Sequence, residues 1–413
     1  MSTPTPPHLA EPVLTVVTPE RLDDYLGAVM RGFHERYEAD LWEPIRAVTD
    51  PARNFGFVVD DQWITTCGAF ERVLTVPGGE VPVAAVTYVT VNPAYRRRGL
   101  LRQMMTHQLE EVAERGVEPV ALLWASEAPI YGRFGYGDTG PKTRMSGDTR
   151  ALGFLPGVDL GHGSVGEVTR EAYVEIAPVL HRRWLPDRPG ALDRDERWWA
   201  RLLHDPETWR DGASPLRYAV HFTLAGEPDG YLTFRVKEGI ETEVQVHDLD
   251  ADGPVAYAAL WRFLLDLDLV RRFVWESAPY DDPLLYLVAD RRAVKTELAE
   301  GTYARLVDVP RALAARHYAT ELDVVLEIAD AMFPSNHGTF RFQAGPDGAS
   351  LTRTAELPDL SLDARELGAI YLGGVSLGSL HRAGRVREHT PGAVRTVGAA
   401  FVSERQPTCP DHF

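Results

Sequence analysis

The sequence predicts a mixed α and β fold, of class α+β, that is divided into about three units. Short apolar runs typical of strands alternate with amphipathic stretches of helical spacing along most of the chain. Two regions share the order of several strands, a long helix and a further strand, which favours a duplicated fold although the two sequences are not visibly repeated. The length of 413 residues also favours about three domains, because a domain usually has roughly 150 residues.

The first unit is predicted at residues 1–155, and it begins with a disordered lead over about twelve residues. An amphipathic stretch from Pro19 to about Met30 follows the lead. Strands are predicted at residues 54–59, 63–73, 81–91 and 119–124. Gly78-Gly79 lies between the second and third strands and indicates a hairpin. Apolar residues recur at helical spacing from Leu100 to Val112, which predicts a helix before the last strand.

The second unit is predicted at residues 156–300 and the third at residues 301–413. A glycine-rich stretch, Gly153 to Gly166, is typical of a linker between the first two units. In the second unit, helices are predicted at residues 170–184, 195–203 and 254–267, and strands at residues 216–224, 230–236, 241–249 and 270–276. In the third unit, strands are predicted at residues 303–307, 322–328, 338–342 and 350–354, and helices from 310, at 364–372 and at 377–383.

The charge and the cysteine content exclude several classes of protein. The chain carries 43 Lys and Arg against 60 Asp and Glu, which gives a formal net charge of −17 at pH 7. A nucleic-acid binder needs a basic surface, so no nucleic-acid partner is expected. An acidic surface suits a cationic substrate, but it also serves solubility alone. The two cysteines, Cys67 and Cys409, exclude a disulfide scaffold, and the histidines lack metal-binding spacing, so no metal is expected.

The N-terminal segment and the apolar runs predict a cytoplasmic protein without a membrane partner. The first twelve residues are polar and proline-rich, and they lack the basic and apolar regions of a signal peptide. No run in the sequence approaches the ~18 apolar residues that a membrane-spanning helix needs.

The most informative segment is a strand, a basic loop and a helix start at residues 86–105. Asn92-Pro93 ends the predicted strand, because proline withholds an amide from the ladder. In the loop Arg96-Arg97-Arg98-Gly99, the arginines offer charge to phosphate oxygens and the glycine lets a ligand approach the backbone. The free N–H groups of the following helix attract an anion. The segment predicts pyrophosphate binding, with a basic surface turn as the alternative.

A second segment, residues 123–137, reads LWASEAPIYGRFGYG and follows the helix by one strand. The order of strand, V-x-P-x-x-R-R-R-G-L-L and helix resembles the acetyl-CoA motif of the GNAT superfamily of N-acetyltransferases, with Leu101 in place of the usual final small residue. Together with ASEAPIYGRFGYG and a C-terminal phenylalanine, the motif resembles the Eis (enhanced intracellular survival) family of that superfamily. The resemblance covers essentially the whole chain.

The resemblance implies two tandem GNAT-like acetyltransferase domains followed by a sterol-carrier-protein-like domain. It implies acetyl-CoA as cosubstrate, an aminoglycoside, polyamine or lysine amine as acceptor, and a homohexamer. The second domain of the family lacks a functional coenzyme site. In this chain the corresponding corner, Leu249 to Pro254, carries acids where the first unit has arginines, and it would repel a pyrophosphate.

The resemblance also implies roles for individual residues. Tyr131 matches the general acid of the family, and Phe413 matches the terminal residue whose α-carboxylate acts as base. Ser126 and Glu127 are expected beside the thioester end of the coenzyme. The other coenzyme-binding residues are expected to be Val89, Thr90 and Val91, which offer backbone groups to the pantetheine, and Arg97, Arg98, Gly99, Leu100, Leu101 and Arg102, which hold the pyrophosphate.

These roles fit the chemistry of acetyl transfer to an amine. An alkyl amine with a pKa near ~10.4 is protonated at neutral pH and is not nucleophilic until a base removes a proton. A carboxylate can attract the ammonium group and accept that proton. A tyrosine with a pKa near ~10 stays protonated and can donate to the leaving thiolate.

Several alternatives stay open at this point. Tyr136 lies five residues after Tyr131 in the same segment, and a terminal phenylalanine such as Phe413 is usually frayed. Glu35 could hold a cationic amine or belong to a solvated helix face. His412 stands where relatives often have an acid, which leaves the substrate preference open. A non-catalytic lipid- or protein-binding scaffold that uses the third unit is the alternative function, and the intact arginine loop favours the enzyme.

Overall fold

A computed structural model describes residues 11–413, in which three β-sheets carry helices on their faces. The predicted disordered lead lies almost entirely outside these residues. The helices are α1 (Leu22–Gly32), α2 (Glu43–Val48), α3 (Leu100–Arg115), α4 (Arg170–Trp184), α5 (Glu196–Leu202), α6 (Pro254–Leu265), α7 (Leu284–Leu287), α8 (Val309–Ala314), α9 (Ala364–Ile370), α10 (Leu377–Arg382) and α11 (Ala393–Phe401). The strands are β1 (Val13–Val16), β2 (Asn54–Val59), β3 (Gln62–Trp63), β4 (Thr65–Val76), β5 (Gly79–Val91), β6 (Val120–Trp124), β7 (Gly137–Asp138), β8 (Pro141–Asp148), β9 (Ser164–Val168), β10 (Arg217–Phe222), β11 (Pro228–Lys237), β12 (Thr242–Ala251), β13 (Val270–Ala278), β14 (Val294–Glu300), β15 (Thr302–Leu306), β16 (Leu322–Ala329), β17 (Gly338–Gly345), β18 (Gly348–Arg353), β19 (Leu360–Asp363) and β20 (Val386–Glu388).

The first sheet has eight strands in the order β1-β2-β4-β5-β6-β15-β7, with β3 beside β2. Helices α1 and α3 cover its two faces. Val86 of β5 packs in one cluster with Met104 of α3, whereas the preceding Ala85 packs in another with Leu26 of α1. Successive residues of a strand point to opposite faces, so β5 supplies side chains to both layers.

The second sheet has seven strands in the order β14-β8-β13-β12-β11-β10-β9. Its strands β12 and β13 are parallel neighbours, as β5 and β6 are in the first sheet. Helix α6 connects β12 to β13 and buries Trp261 against Phe273 and Trp275. The predicted duplication of strands, helix and strand therefore exists as two sheets with the same local connection.

Two strands belong to a different sheet from the one expected from their position in the sequence. Strand β8, which was not predicted and which precedes the expected boundary at residue 155, pairs with β13 and β14 of the second sheet. Strand β15, the expected first strand of the third unit, pairs with β6 and β7 of the first sheet. Alternation of apolar residues reveals a strand but not its partner, because ladder hydrogen bonds join backbone groups that every sequence provides.

The third sheet has five strands in the order β18-β17-β16-β19-β20, and it carries α9, α10 and α11. Its core is continuous with that of the first sheet, since Phe342 and Leu367 share one cluster with Leu122 of β6. Gly368 of α9 allows this close approach. A Cβ atom there would lie 2.3 Å from the carbonyl oxygen of Ala304 in β15, so any larger residue would separate the two units.

Candidate active site

The first sheet opens between β5 and β6. The two strands pair from Val83 and Val120 to Val86 and Leu123, and the pairing ends there although β5 continues to Val91. Residues 87–91 therefore border a gap on the side of β6. An extended ligand can enter such a gap and pair with the free strand edge as an added strand would.

A β-bulge in β5 lies next to this gap. Tyr88 and Val89 both lie opposite Cys67 of β4, because the register shifts between Thr66 and Gly68. Tyr88 has a φ of +59°, which is unusual for a residue other than glycine. The Thr66 hydroxyl donates a hydrogen bond of 2.6 Å to the Tyr88 carbonyl. A bulge bends its strand and interrupts the ladder, so it is a local cause of the opening.

Helix α3 begins directly after this strand with the predicted basic loop. Gly99 is its N-cap with a φ of +82°, and Arg97 also has a left-handed φ of +62°. Arg97, Arg98 and Arg102 are exposed, and the first turn of α3 contains no acidic residue. Free N–H groups, positive side chains and the positive end of a 16-residue helix therefore meet at one corner.

The hydrophobic residues of this corner hold it in place. Leu100 is buried in the cluster beneath α3, and Leu101 packs on the edge of the same cluster. The departure of Leu101 from the usual small residue is thus accommodated by packing against the first sheet.

The second segment forms a 3-10 turn, Ala128–Phe134, that follows β6. Ser126 and Glu127 precede it and are exposed. Tyr131 is buried in the cluster of α3 with Met104. Burial raises the pKa of Tyr131 to about 12, and the Ser126 hydroxyl opposes this shift. The phenol therefore keeps its proton at neutral pH and is available as a proton donor.

Tyr136 competes with Tyr131 for the role of acid. Their rings meet edge to face with 6.0 Å between the centroids. Tyr136 is fully buried, and its hydroxyl has no hydrogen-bond partner among the described residues. Burial raises the pKa of Tyr136 well above its ordinary value. A hydroxyl enclosed in this way is poorly placed to reach a leaving group.

The C-terminal tail is attached to the end of β6. Trp124, the last residue of that strand, donates a hydrogen bond of 2.8 Å from Nε1 to the carbonyl oxygen of Asp411. Its indole stacks on the His412 imidazole with 4.6 Å between the centroids. Arg201 of α5 donates a hydrogen bond of 2.7 Å to the carbonyl oxygen of His412. Residues of the first and second units thus bind the two residues that precede Phe413.

Phe413 lines a cleft of about 690 Å³ beside α1. The side chain is half-buried and packs on the cluster of α1. Tyr88 of the bulge lines the same cleft, as do Glu35, Glu38 and Arg201. Glu35, Arg36 and Glu38 of this cleft are all exposed, and Nε of Arg36 lies 3.5 Å from Oε1 of Glu38.

The predicted residues fall into two groups that the sheet separates. Val89 to Val91 border the gap, residues 97–102 form the corner, and Ser126, Glu127 and Tyr131 follow the strand on the other side of the gap. Phe413 lies with α1 on the opposite face from Tyr131.

Sequence reasoning missed three residues that build this region: Trp124, Arg201 and Asp411. Trp124 belongs to the second informative segment, residues 123–137, but was assigned no role there. Arg201 and Asp411 stand in segments without a motif, and only the fold brings them to the cleft.

Within residues 11–413, no group of three or more His, Cys, Asp or Glu side chains is arranged to hold a metal ion. No helix in the described part of the chain combines the length and the apolar character needed to cross a bilayer.

Family profiles match all three sheets. Residues 15–138 and residues 190–306 each match an acetyltransferase (GNAT) domain, and residues 309–410 match a sterol carrier protein domain. The protein is therefore an acetyltransferase with two GNAT domains and a sterol-carrier-like domain, which confirms the predicted fold class. The GNAT fold implies acetyl-CoA as cosubstrate, and the gap and the basic corner fit the pantetheine and the pyrophosphate of such a molecule.

Relatives that align over most of the chain identify the family. An uncharacterised N-acetyltransferase of Streptomyces avermitilis is 41% identical over 387 residues, which cover 91% of this chain and 92% of the relative. N-acetyltransferase Eis of Mycobacterium tuberculosis is 36% identical over 339 residues, 80% of this chain and 81% of the relative. The crystal structure of Eis1 from Mycobacterium abscessus has a TM-score of 0.83 and 33% identity, and it covers 98% of this chain and 100% of its own. The chain belongs to the Eis family of N-acetyltransferases.

Proposed function

We propose that the protein transfers an acetyl group from acetyl-CoA directly to a primary amine, with Tyr131 as general acid and the α-carboxylate of Phe413 as general base. One observation carries the proposal. Tyr131 packs on the α3 face of the first sheet and Phe413 on the α1 face, and the gap between β5 and β6 connects the two faces.

The donor side uses the α3 face. The amides before Leu100 and the side chains of Arg97, Arg98 and Arg102 bind the pyrophosphate, and Val89 to Val91 pair with the pantetheine. The thioester then lies in the gap near the bulge. Backbone N–H groups of the interrupted ladder can stabilise the oxyanion that forms when the amine attacks. Tyr131 gives its proton to the thiolate as the carbon–sulfur bond breaks.

The acceptor side uses the α1 face. The carboxylate of Phe413 takes one proton from the ammonium group, and the free amine then forms the new carbon–nitrogen bond. As the intermediate collapses the nitrogen loses a second proton, which reprotonates Tyr131, so the amide product keeps one N–H. The carboxylic acid of Phe413 then releases its proton to solvent. The net reaction therefore yields an N-acetylated amine, free coenzyme A and one proton.

The acceptor class follows from the mouth of the cleft. Glu38 is paired with Arg36, so Glu35 and the Phe413 carboxylate are the acids that favour a cationic molecule, and a cleft of about 690 Å³ accepts one with several amino groups. Aminoglycosides, polyamines and lysine side chains all fit this description.

The family resemblance extends the proposal to a homohexamer in the cytoplasm. Measuring the molar mass in solution tests the hexamer, and cell fractionation tests the location.

Extending either end of the chain tests the proposed base. A short peptide added after Phe413 converts the α-carboxylate into an amide and places bulk in the cleft, so we expect acetyl transfer to fall about 10²–10⁴-fold, the usual contribution of a positioned acid or base. The same peptide at the N-terminus is the matched control and should leave the rate unchanged.

The assay follows thiol release with a panel of amines, and calorimetry with acetyl-CoA verifies that the donor site is intact. Full transfer by the C-terminally extended enzyme would exclude the carboxylate of Phe413. Glu127 or Glu35 would then be the next candidate for the base.

A further inference from the structure

We infer that Asp411 is a positioning residue, a buried latch that holds the C-terminal tail where all three units meet and so places the carboxylate of Phe413 in the cleft. The catalytic consequence rests on the proposed function. The attachment of the tail by Asp411 does not depend on that function, and it can be tested separately.

Two arginines from different units bind the Asp411 side chain. Arg194 donates to Oδ1 through Nε at 3.0 Å and through Nη2 at 2.6 Å, and Nη2 of Arg72 lies 3.4 Å from Oδ2. Asp411 is fully buried, and the side chains of both arginines are almost completely buried. Burial alone would raise the pKa of Asp411, but the two guanidinium groups hold it below its ordinary value, so the side chain is ionised.

Each arginine has a second acidic partner. Nε of Arg72 lies 3.1 Å from Oδ1 of Asp193, and Nη1 of Arg194 donates to Oδ2 of Asp248 at 2.7 Å. The result is a row of five alternating charges with Asp411 at its centre. Removing the central carboxylate would leave each arginine with its outer acid but would place the two buried guanidinium groups next to each other without the anion between them, which is costly in a dry environment.

The row joins separate parts of the fold. Arg72 lies on β4 of the first sheet, Arg194 precedes α5, and Asp248 lies on β12 of the second sheet. Backbone hydrogen bonds also join these parts, since the N–H of Thr75 donates to the carbonyl of Ala191 at 2.9 Å. The tail adds a bond of the same kind, from the N–H of Thr408 to the carbonyl of Pro189 at 2.9 Å. The arginines are therefore presented from a rigid frame.

The latch lies two residues before the proposed base. Trp124 and Arg201 bind the carbonyl oxygens of Asp411 and His412, so the backbone is held on both sides of His412. The guanidinium of Arg72 also stacks over Trp198, with 3.8 Å from Cζ to the ring centroid. Trp198 belongs to the cluster on which Phe413 packs. Loss of the Asp411 charge should therefore loosen Phe413 itself and not only the interface.

The test uses the full-length protein and a carboxypeptidase that removes C-terminal aromatic residues. Asp411→Asn keeps the size of the side chain and removes its charge. The matched control is Glu118→Gln, because Glu118 is also buried and pairs with Arg53 at 2.6 Å, just before the opposite end of β6 from Trp124. Release of Phe413 is followed by mass spectrometry, together with kcat, KM and acetyl-CoA affinity of the uncut enzymes.

We expect Asp411→Asn to release Phe413 at least about 10-fold faster than the wild type and to lower kcat about 10²-fold, the scale on which a misplacement of ~1 Å acts. Acetyl-CoA affinity should stay within about twofold, because the donor site lies on the other face of the sheet. Glu118→Gln should keep both the wild-type release rate and the wild-type kcat, even if its melting temperature falls.

A wild-type release rate in Asp411→Asn, or equal acceleration in Glu118→Gln, would overturn the latch. Faster release with an unchanged kcat would overturn the catalytic consequence and the proposed base together, while the attachment of the tail would stand. Should Asp411→Asn fail to fold, Arg194→Gln removes the partner that makes both short contacts to Asp411 and leaves Arg72 in place. A wild-type release rate in that variant would equally overturn the latch.

Discussion

The two GNAT domains share their sheet geometry and differ at the corner that leads to the connecting helix. In the first domain β5 and β6 separate after Val86, and in the second β12 and β13 separate after Val246. Each domain has a bulge beside the separation, at Tyr88 in the first and at His247 in the second. An open sheet with a bulge beside it is therefore common to both domains.

The corner of the second domain lacks the features that attract a phosphate. Helix α6 begins at Pro254, which has no N–H to offer, and follows Asp250 and Asp252. Nearby arginines are already engaged, because Arg188 binds Asp250 with its Nε at 3.0 Å from Oδ2 and Arg183 lies 3.1 Å from Asp252. The difference between the domains is thus one of charge and free amides at a single turn.

The largest expected effect is on kcat, and it concerns Tyr131 in the segment that follows β6 of the first domain. Tyr131→Phe removes the proton donor while keeping the ring, so kcat should fall about 10²–10⁴-fold with near-normal acetyl-CoA affinity. Tyr136→Phe is the control, since its hydroxyl is enclosed. Steady-state kinetics with thiol detection measures both, and a larger loss in Tyr136→Phe would assign the acid to the other tyrosine.

The next largest effect is on acetyl-CoA binding, and it tests the difference between the turns that precede α3 and α6. Calorimetric titration should give one acetyl-CoA site per chain. Arg97→Ala should weaken binding by about 1–3 kcal/mol, which is roughly 5–150-fold in Kd, because charge-assisted bonds to phosphate are lost. Arg183→Ala removes an exposed arginine at the corresponding corner of the second domain and should leave Kd unchanged. Two sites per chain would contradict the distinction between the domains.

The smallest effect concerns stability and the second domain alone. Asp282, in the segment after β13, is buried, and burial raises its pKa to about 7 against the hydrogen bond from Tyr257. The unfolded chain, with a carboxyl pKa near ~3.9, releases this proton earlier than the folded one. Asp282 therefore stabilises the fold fully below about pH 4, and this contribution is lost as the pH rises through about 7.

Asp282→Asn mimics the protonated acid, so the stability of this variant should not fall as Asp282 of the wild type becomes ionised. The melting temperature of the variant should gain on the wild type between pH 5 and pH 7.5, by about 2–4 °C for each ~1 kcal/mol. Asp330→Asn, in a buried pair with Arg305 at 2.7 Å, controls for loss of a buried carboxylate. An equal gain with pH in both variants would show that Asp282 is not the titrating group.

The sequence by itself determined the residues of the proposed donor side. The arginine loop, Gly99 and the segment around Tyr131 are contiguous motifs whose chemistry depends on neighbours along the chain. The site at the start of α3 requires that a strand ends and a helix begins within a few residues. Proline and glycine mark these two boundaries in the sequence, and the spacing of apolar residues marks the helix. The acidic corner of the second domain was visible for the same reason.

Only the tertiary structure decided how the proposed acceptor side is assembled. The sequence showed β15 as a strand but not its place beside β6, and it showed Asp411 as one acid among sixty without its arginines. Arg72, Arg194 and Asp411 come together from three units, and no periodicity or spacing connects them. Local conformation depends on neighbouring residues, whereas the partner of a buried charge depends on which distant surfaces pack together.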